Sequence, residues 1–129
     1  MEYKHFNNKV YLINYHFVWC PKRRKKVLIG DIKLQLEELI REIAINNNFD
    51  IIALEIMSDH VHLFISANPM ISPHKVIKLF KGKTSRILRN KFPELLKLPS
   101  LWTHSYFVST AGNISNETIQ KYIEMQSKK

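Results

Sequence analysis

Apolar residues along the chain switch between a period of two and a period of 3.6, and each switch marks an expected element. From Val10 to Cys20 (VYLINYHFVWC) an aromatic and β-branched run places Tyr11, Ile13, Tyr15, Phe17 and Trp19 on one face, which predicts a strand. From Asp31 to about Asn47 the spacing becomes helical. Ile32, Leu36, Leu39, Ile40 and Ile43 share one side, Asp31 is the expected N-cap, and Asn46, Asn47 and Asn48 form the stop. Residues 50–57 (DIIALEIM) and 61–66 (VHLFIS) read as strands joined through Ser58 and Asp59, a connection short enough for an antiparallel hairpin. Ser72-Pro73 caps and opens a second helix that runs to roughly Lys91, before Pro93. Residues 101–110 (LWTHSYFVST) read as a fourth strand; Gly112 and Asn113 break it, and Ser115 caps a last helix through about Gln126. The order β-α-β-β-α-β-α is that of an α+β, ferredoxin-like split β-α-β with an antiparallel sheet and an added C-terminal helix, a single domain over 1–129.

Composition adds a partner class to this outline. The 129 residues are 45% hydrophobic, enough for one packed core. Lys and Arg number 20 against 11 Asp and Glu, a formal charge of +9 that favours a polyanion, with nucleic acid first. The single cysteine, Cys20, excludes an internal disulfide and the Cys-pair zinc sites, which fits a reducing cytoplasm. No secretory apolar core follows Met1 and no apolar stretch is long enough for a bilayer, so a cytoplasmic protein without membrane association is expected.

The chemistry-bearing residues fall in three groups. His60 and His62 flank Val61 at the start of a strand, so both imidazoles face the same way with their Cα atoms about 7 Å apart. That suits two ligands of one metal ion, and equally a hydrogen-bonded strand pair. Tyr122 and Gln126, four apart, share a face of the last helix, where a phenol nucleophile and a third ligand can sit together or a tyrosine can simply pack on a neighbour. On the second long helix Lys75, Lys78, Arg86 and Arg89 lie within about an 80° arc that includes Gly82, separate from the apolar arc of Val76, Ile77, Phe80, Ile87 and Leu88. With Lys83, and with Lys22, Arg23 and Arg24 of the basic run 22–26, these are candidate phosphate contacts; a solvated charged face is the alternative. Gly82-Lys83-Thr84 is not a nucleotide-binding loop, because the glycine such a loop needs five positions earlier is Ile77, inside a helix. His5, His16, His74 and His104 have no partner at ligand spacing, and Asp59 reads as a turn residue or as a support for the histidine pair.

Taken together, Asp59-His-Val-His-Leu-Phe64, Phe80-Lys-Gly-Lys-Thr-Ser85, Leu101-Trp102 with Ser105-Tyr-Phe-Val108, and Tyr122 with Gln126 resemble the single-tyrosine HUH transposases of the IS two-hundred type. The resemblance runs from the first strand to the last helix and implies a role for each residue. His60 and His62 would be metal ligands, Gln126 the third ligand, and Tyr122 the nucleophile that forms a 5′-phosphotyrosine with single-stranded DNA. It further implies Mg²⁺ or Mn²⁺, no nucleotide cofactor, recognition of subterminal DNA hairpins, and a homodimer in which the tyrosine acts in its own subunit or in its partner's. Two other classes stay open: a hairpin-binding module without strand transfer, and a metallohydrolase that uses water and leaves no protein adduct.

Overall fold

A computed structural model describes residues 5–6, 9–10, 12–110 and 115–127. Two short strands, β1 (His5–Phe6) and β2 (Lys9–Val10), pair antiparallel. The elements that follow are β3 (Ile13–Trp19), α1 (Gly30–Asn46), β4 (Asp50–Met57), β5 (His60–Ala67), α2 (Pro73–Lys91), β6 (Phe107–Ser109) and α3 (Asn116–Gln126). Strands β3 to β6 form one antiparallel sheet in the order β4-β5-β3-β6, the expected split β-α-β topology. No described helix is long and apolar enough to cross a membrane.

Alternation decides which face of the sheet is apolar. Tyr15, Phe17 and Trp19 of β3 and Val61, Leu63, Ile65 and Ala67 of β5 are buried against Leu36, Ile40 and Ile43 of α1 and Val76, Ile77, Phe80 and Leu88 of α2. In β4 the register slips between Ile51 and Ala53, an extra residue that leaves Ile52 exposed. After the slip Leu54 and Ile56 pair with Leu63 and Val61 of the core face, and Glu55 pairs with His62 on the other. Without that bulge Glu55 would point into the core. The second face carries His60 and His62 of β5, His16 and Val18 of β3 with Cys20 just beyond it, and Phe107 of β6, and α3 packs on it through Ile119, Tyr122 and Ile123.

Three expectations are corrected. The strand expected over Val10–Cys20 divides: Val10 pairs with His5 in the small hairpin, Tyr11 lies outside the described residues, and the ladder begins at Ile13. Asp31 is not the N-cap of α1; Ile29 takes that position and makes no side-chain cap, Gly30 turns the chain with φ +56°, and Asp31 sits in the first turn beside the positive end of the helix dipole. The strand expected over 101–110 is laddered only at Phe107–Ser109. In the segment before it Trp102 makes a single antiparallel bridge with Pro21, and α2 holds the rest, with the Trp102 indole donating to Thr84 Oγ1 at 3.1 Å and Lys81 Nζ donating to the carbonyls of Thr103 (2.6 Å) and Ser105 (3.2 Å). Those carbonyls thus have partners without a neighbouring strand. Gly112 and Asn113 lie outside the described residues, whereas Ser115 does cap α3, accepting from the Thr118 amide at 3.1 Å.

Candidate active site

The β4–β5 hairpin delivers two histidines to one face of the sheet. His60 Nδ1 lies 2.9 Å from Asp59 Oδ1, and the other oxygen of the same carboxylate lies 3.0 Å from Arg24 Nε. A carboxylate can only accept here, so Nδ1 carries the proton and the lone pair of Nε2 is turned away from Asp59. Arg24 is presented by a tight turn, Lys22–Arg24, in which both Arg23 (φ 56°) and Arg24 (φ 52°) adopt the left-handed conformation. That conformation costs roughly 1–2 kcal/mol per residue. The Arg24 amide bonded to the Pro21 carbonyl at 2.8 Å, the Lys22 amide bonded to the Leu101 carbonyl at 2.8 Å, and the ion pair to Asp59 oppose that cost.

His62 is half-buried, opposite Val18 on one side and Glu55 on the other. Its Nε2 is 3.3 Å from Nδ1 of His16, whose ring stacks on Phe64 at 3.8 Å between centroids. Burial lowers the His62 pKa; the nearby His16 adds to that shift, and Glu55 opposes it. The ring is therefore held in the neutral form, the form that donates a lone pair to a metal.

The tyrosine helix lies on the same face. Val18, paired with His62 across the β3–β5 ladder, is buried in the cluster formed with Cys20 and Ile123 against which Tyr122 packs. Ser105 Oγ is 3.2 Å from the Tyr122 hydroxyl and 2.8 Å from Gln126 Oε1, while Gln126 Nε2 donates to the Tyr122 carbonyl at 3.0 Å. Gln126 is only 2% exposed. Burial raises the pKa of Tyr122 above its ordinary value. The phenol is thus neutral around pH 7.

The two histidines suit a metal ion: His60 has its second nitrogen fixed by a carboxylate, and His62 is kept neutral. Gln126 offers a carboxamide oxygen, which here accepts from Ser105, and among the described residues no group of three His, Cys, Asp or Glu side chains gathers at the pair. Imidazole and carbonyl donors together accept Mn²⁺ and tolerate Mg²⁺.

The basic residues divide by what already holds them. Lys75, Lys78 and Arg86 are exposed along α2, and Arg86 lines an open groove of about 750 Å³ with Gly82, Ser85, Asn90 and Leu96. A Cβ at Gly82 would meet nothing within 4 Å, so that position leaves the groove open. Arg89 borders the same groove but donates to the Leu98 carbonyl at 3.0 Å, Lys83 pairs with Glu42 of α1 at 3.8 Å, and Arg24 is committed to Asp59. Lys22 and Arg23 remain on the turn beside α3.

Sequence spacing alone does not mark three residues of the site. His16 reaches His62 only through strand pairing, 46 residues away. Ser105 and Lys81 meet across a segment that alternation reads as strand. The available signal for His16 was its place on the polar side of β3, between Tyr15 and Phe17.

Comparison with known proteins identifies the family. Residues 9–126 match the family model described as "Transposase IS200 like". The chain is 36% identical over 132 residues to the ISDra2 transposase TnpA of Deinococcus radiodurans, covering 100% of this chain and 94% of that protein. It is 29% identical over 115 residues to the transposase for insertion sequence element IS200 of Salmonella typhimurium, covering 87% and 75%. Among solved structures, a candidate transposase from Deinococcus radiodurans superposes with a TM-score of 0.87 at 36% identity, over 95% of this chain and 97% of that one. A REP-associated tyrosine transposase bound to a REP hairpin shares the fold, with a TM-score of 0.52 at 16% identity, over 96% and 68%.

Proposed function

The chain belongs to the IS200-like transposase family, and from that premise we propose that it cleaves and rejoins single-stranded DNA at insertion-sequence ends through a covalent bond to Tyr122. The observation that supports this reading is the packing of α3, through Ile123 and Tyr122, on Val18, the strand partner of His62, with Gln126 joined to Tyr122 through Ser105. In the first step the Tyr122 oxygen forms a bond to the scissile phosphorus, the phenolic proton passes to solvent, and the bond to the 3′-oxygen breaks to leave a 3′-hydroxyl. In the second step an incoming 3′-hydroxyl attacks the 5′-phosphotyrosine and restores the phenol. A phenolate, with a conjugate acid pKa of ~10, is a far better leaving group than an alkoxide, so the adduct retains the energy for rejoining and no nucleotide cofactor is needed.

His60, His62 and the carboxamide oxygen of Gln126 would hold a divalent ion, Mg²⁺ or Mn²⁺. When bound, such an ion supplies a Lewis acid that polarises the phosphodiester. Asp59 fixes the ring of His60, and Arg24 fixes Asp59. Lys75, Lys78 and Arg86 bind the phosphates of a hairpin near the element end, and a homodimer supplies two such sites. In-line attack requires phenol and phosphorus to align. An unpaired nucleotide adopts that geometry readily, while a continuous duplex restrains it.

The test compares one element-end sequence offered as a folded single strand and as a blunt duplex, with Mn²⁺ at fixed salt. Cleavage of the single strand alone is expected. Equal cleavage of both removes the single-strand assignment, and hydrolysis with no protein adduct points to a metal-activated water.

A further inference from the structure

The hydrogen bonds around Tyr122 have only one consistent direction. Gln126 Nε2 donates to the Tyr122 carbonyl at 3.0 Å, which fixes the orientation of the amide and leaves Oε1 as an acceptor. Ser105 Oγ, 2.8 Å from Oε1, therefore spends its single proton on Gln126. It follows that the 3.2 Å contact with Tyr122 is made by the phenol donating to Ser105 Oγ. One serine hydroxyl thus holds the hydroxyl of Tyr122 and the carboxamide oxygen of Gln126 together.

Ser105 is itself held from behind. Lys81 Nζ donates to the carbonyls of Thr103 and Ser105, the Thr103 amide donates to the Cys20 carbonyl at 3.0 Å, and the Trp102 indole is tied to Thr84. Lys81 and Thr84 belong to α2, which is anchored in the core by Val76, Ile77, Phe80 and Leu88. A rigid helix, a pinned segment and one hydroxyl connect the core to Tyr122 and Gln126.

We infer that Ser105 is a positioning residue for DNA cleavage, setting the rotamers of Tyr122 and Gln126 at once, and that Lys81 fixes the backbone from which Ser105 acts. The inference rests on Tyr122 being the nucleophile. Ser105 needs no contact with DNA in this role. Its loss misplaces the phenol and the amide oxygen while leaving the basic surface of α2 as it was.

The experiment measures single-turnover cleavage and hairpin affinity for Ser105→Ala and Ser105→Thr, using a single-stranded oligonucleotide of the element end with Mn²⁺. The expected result is a fall of roughly 10- to 100-fold in the cleavage rate of Ser105→Ala, in line with the cost of an ångström-scale misplacement. DNA affinity should stay within about twofold, and Ser105→Thr, which keeps the hydroxyl, should recover most of the rate. In the metal-free, DNA-free protein the ¹⁵N side-chain amide signal of Gln126 should shift in Ser105→Ala and return in Ser105→Thr. An unchanged rate, an unmoved amide signal, or equal losses of binding and cleavage overturn the assignment. A wild-type protein that forms no adduct overturns the nucleophile and this role together; a wild-type adduct with an undiminished rate in Ser105→Ala removes only the role of Ser105.

Discussion

Asp59→Ala separates a supporting contact from a turn residue. Asp59 is 15% exposed in its side chain and makes two contacts at once, to His60 Nδ1 at 2.9 Å and to Arg24 Nε at 3.0 Å. Removing the carboxylate frees the His60 ring to turn. Loss of such a partner behind a metal-ligating histidine weakens metal binding by about 10- to 100-fold, or ~1.4–2.7 kcal/mol. The ion pair to Arg24 contributes about 1 kcal/mol to folding at most, since the Arg24 side chain is 27% exposed and its charge can rehydrate. Metal affinity should therefore fall by more than stability does. Asp59→Asn gives the control, because its amide oxygen still accepts from Nδ1 but carries no charge; it should lie between wild type and alanine. Calorimetric titration with Mn²⁺ on the folded variants reads the first quantity, and urea unfolding the second. A folded Asp59→Ala protein that binds Mn²⁺ as tightly as wild type would refute the chain from Arg24 through Asp59 to His60.

Other expectations follow from the same contacts. Phe80 is fully buried with ring centroids 6.4 Å from Trp19 and 5.9 Å from Phe49, so Phe80→Ala should cost ~3–5 kcal/mol in urea unfolding; a loss below about 1 kcal/mol would contradict the packing. Lys78→Glu with Arg86→Glu should weaken DNA binding and flatten its salt dependence by about 0.7 log units per lost single-strand phosphate contact, and an unchanged slope would return these residues to a solvated face. Arg89→Glu should instead lower the unfolding midpoint, since that guanidinium holds the Leu98 carbonyl. Burial pushes the Lys81 amine down to about 8 from an ordinary 10.5. Between those values the unfolded chain keeps a proton that the folded chain has released, so stability rises with pH across that window and is not gained below it. Wild type should therefore gain stability relative to Lys81→Met from pH 8 to 10 in parallel melts, and a constant difference would place Lys81 in solvent.

Much of the architecture was legible because burial follows period. The alternation of Tyr15, Phe17 and Trp19, and the helical spacing of Ile32, Leu36, Ile40 and Ile43, each name the face that meets the core. The same alternation misled over 101–106, because Leu101 and Trp102 are apolar for a different reason: they pack beneath α2 while Lys81 satisfies the nearby carbonyls. Period also cannot announce the bulge at Ile52, which decides that Glu55 faces His62. For the site, His60 and His62 are two apart and Tyr122 and Gln126 four apart, so local geometry brings each pair together. Arg24 to Asp59, His16 to His62 and Ser105 to Tyr122 are meetings of distant segments, and only the sheet register and the packing of α3 create them.

The central claim is a covalent bond between Tyr122 and DNA. The most direct measurement incubates the protein with a labelled single strand of the element end and Mn²⁺, denatures the mixture, and maps any DNA-bound peptide by mass spectrometry. The account predicts a labelled band that survives denaturation, with the DNA attached through its 5′-phosphate to the peptide containing Tyr122, and its disappearance in Tyr122→Phe at undiminished hairpin affinity. An adduct that persists in Tyr122→Phe, or cleaved DNA with no attached protein at any time point, would contradict it.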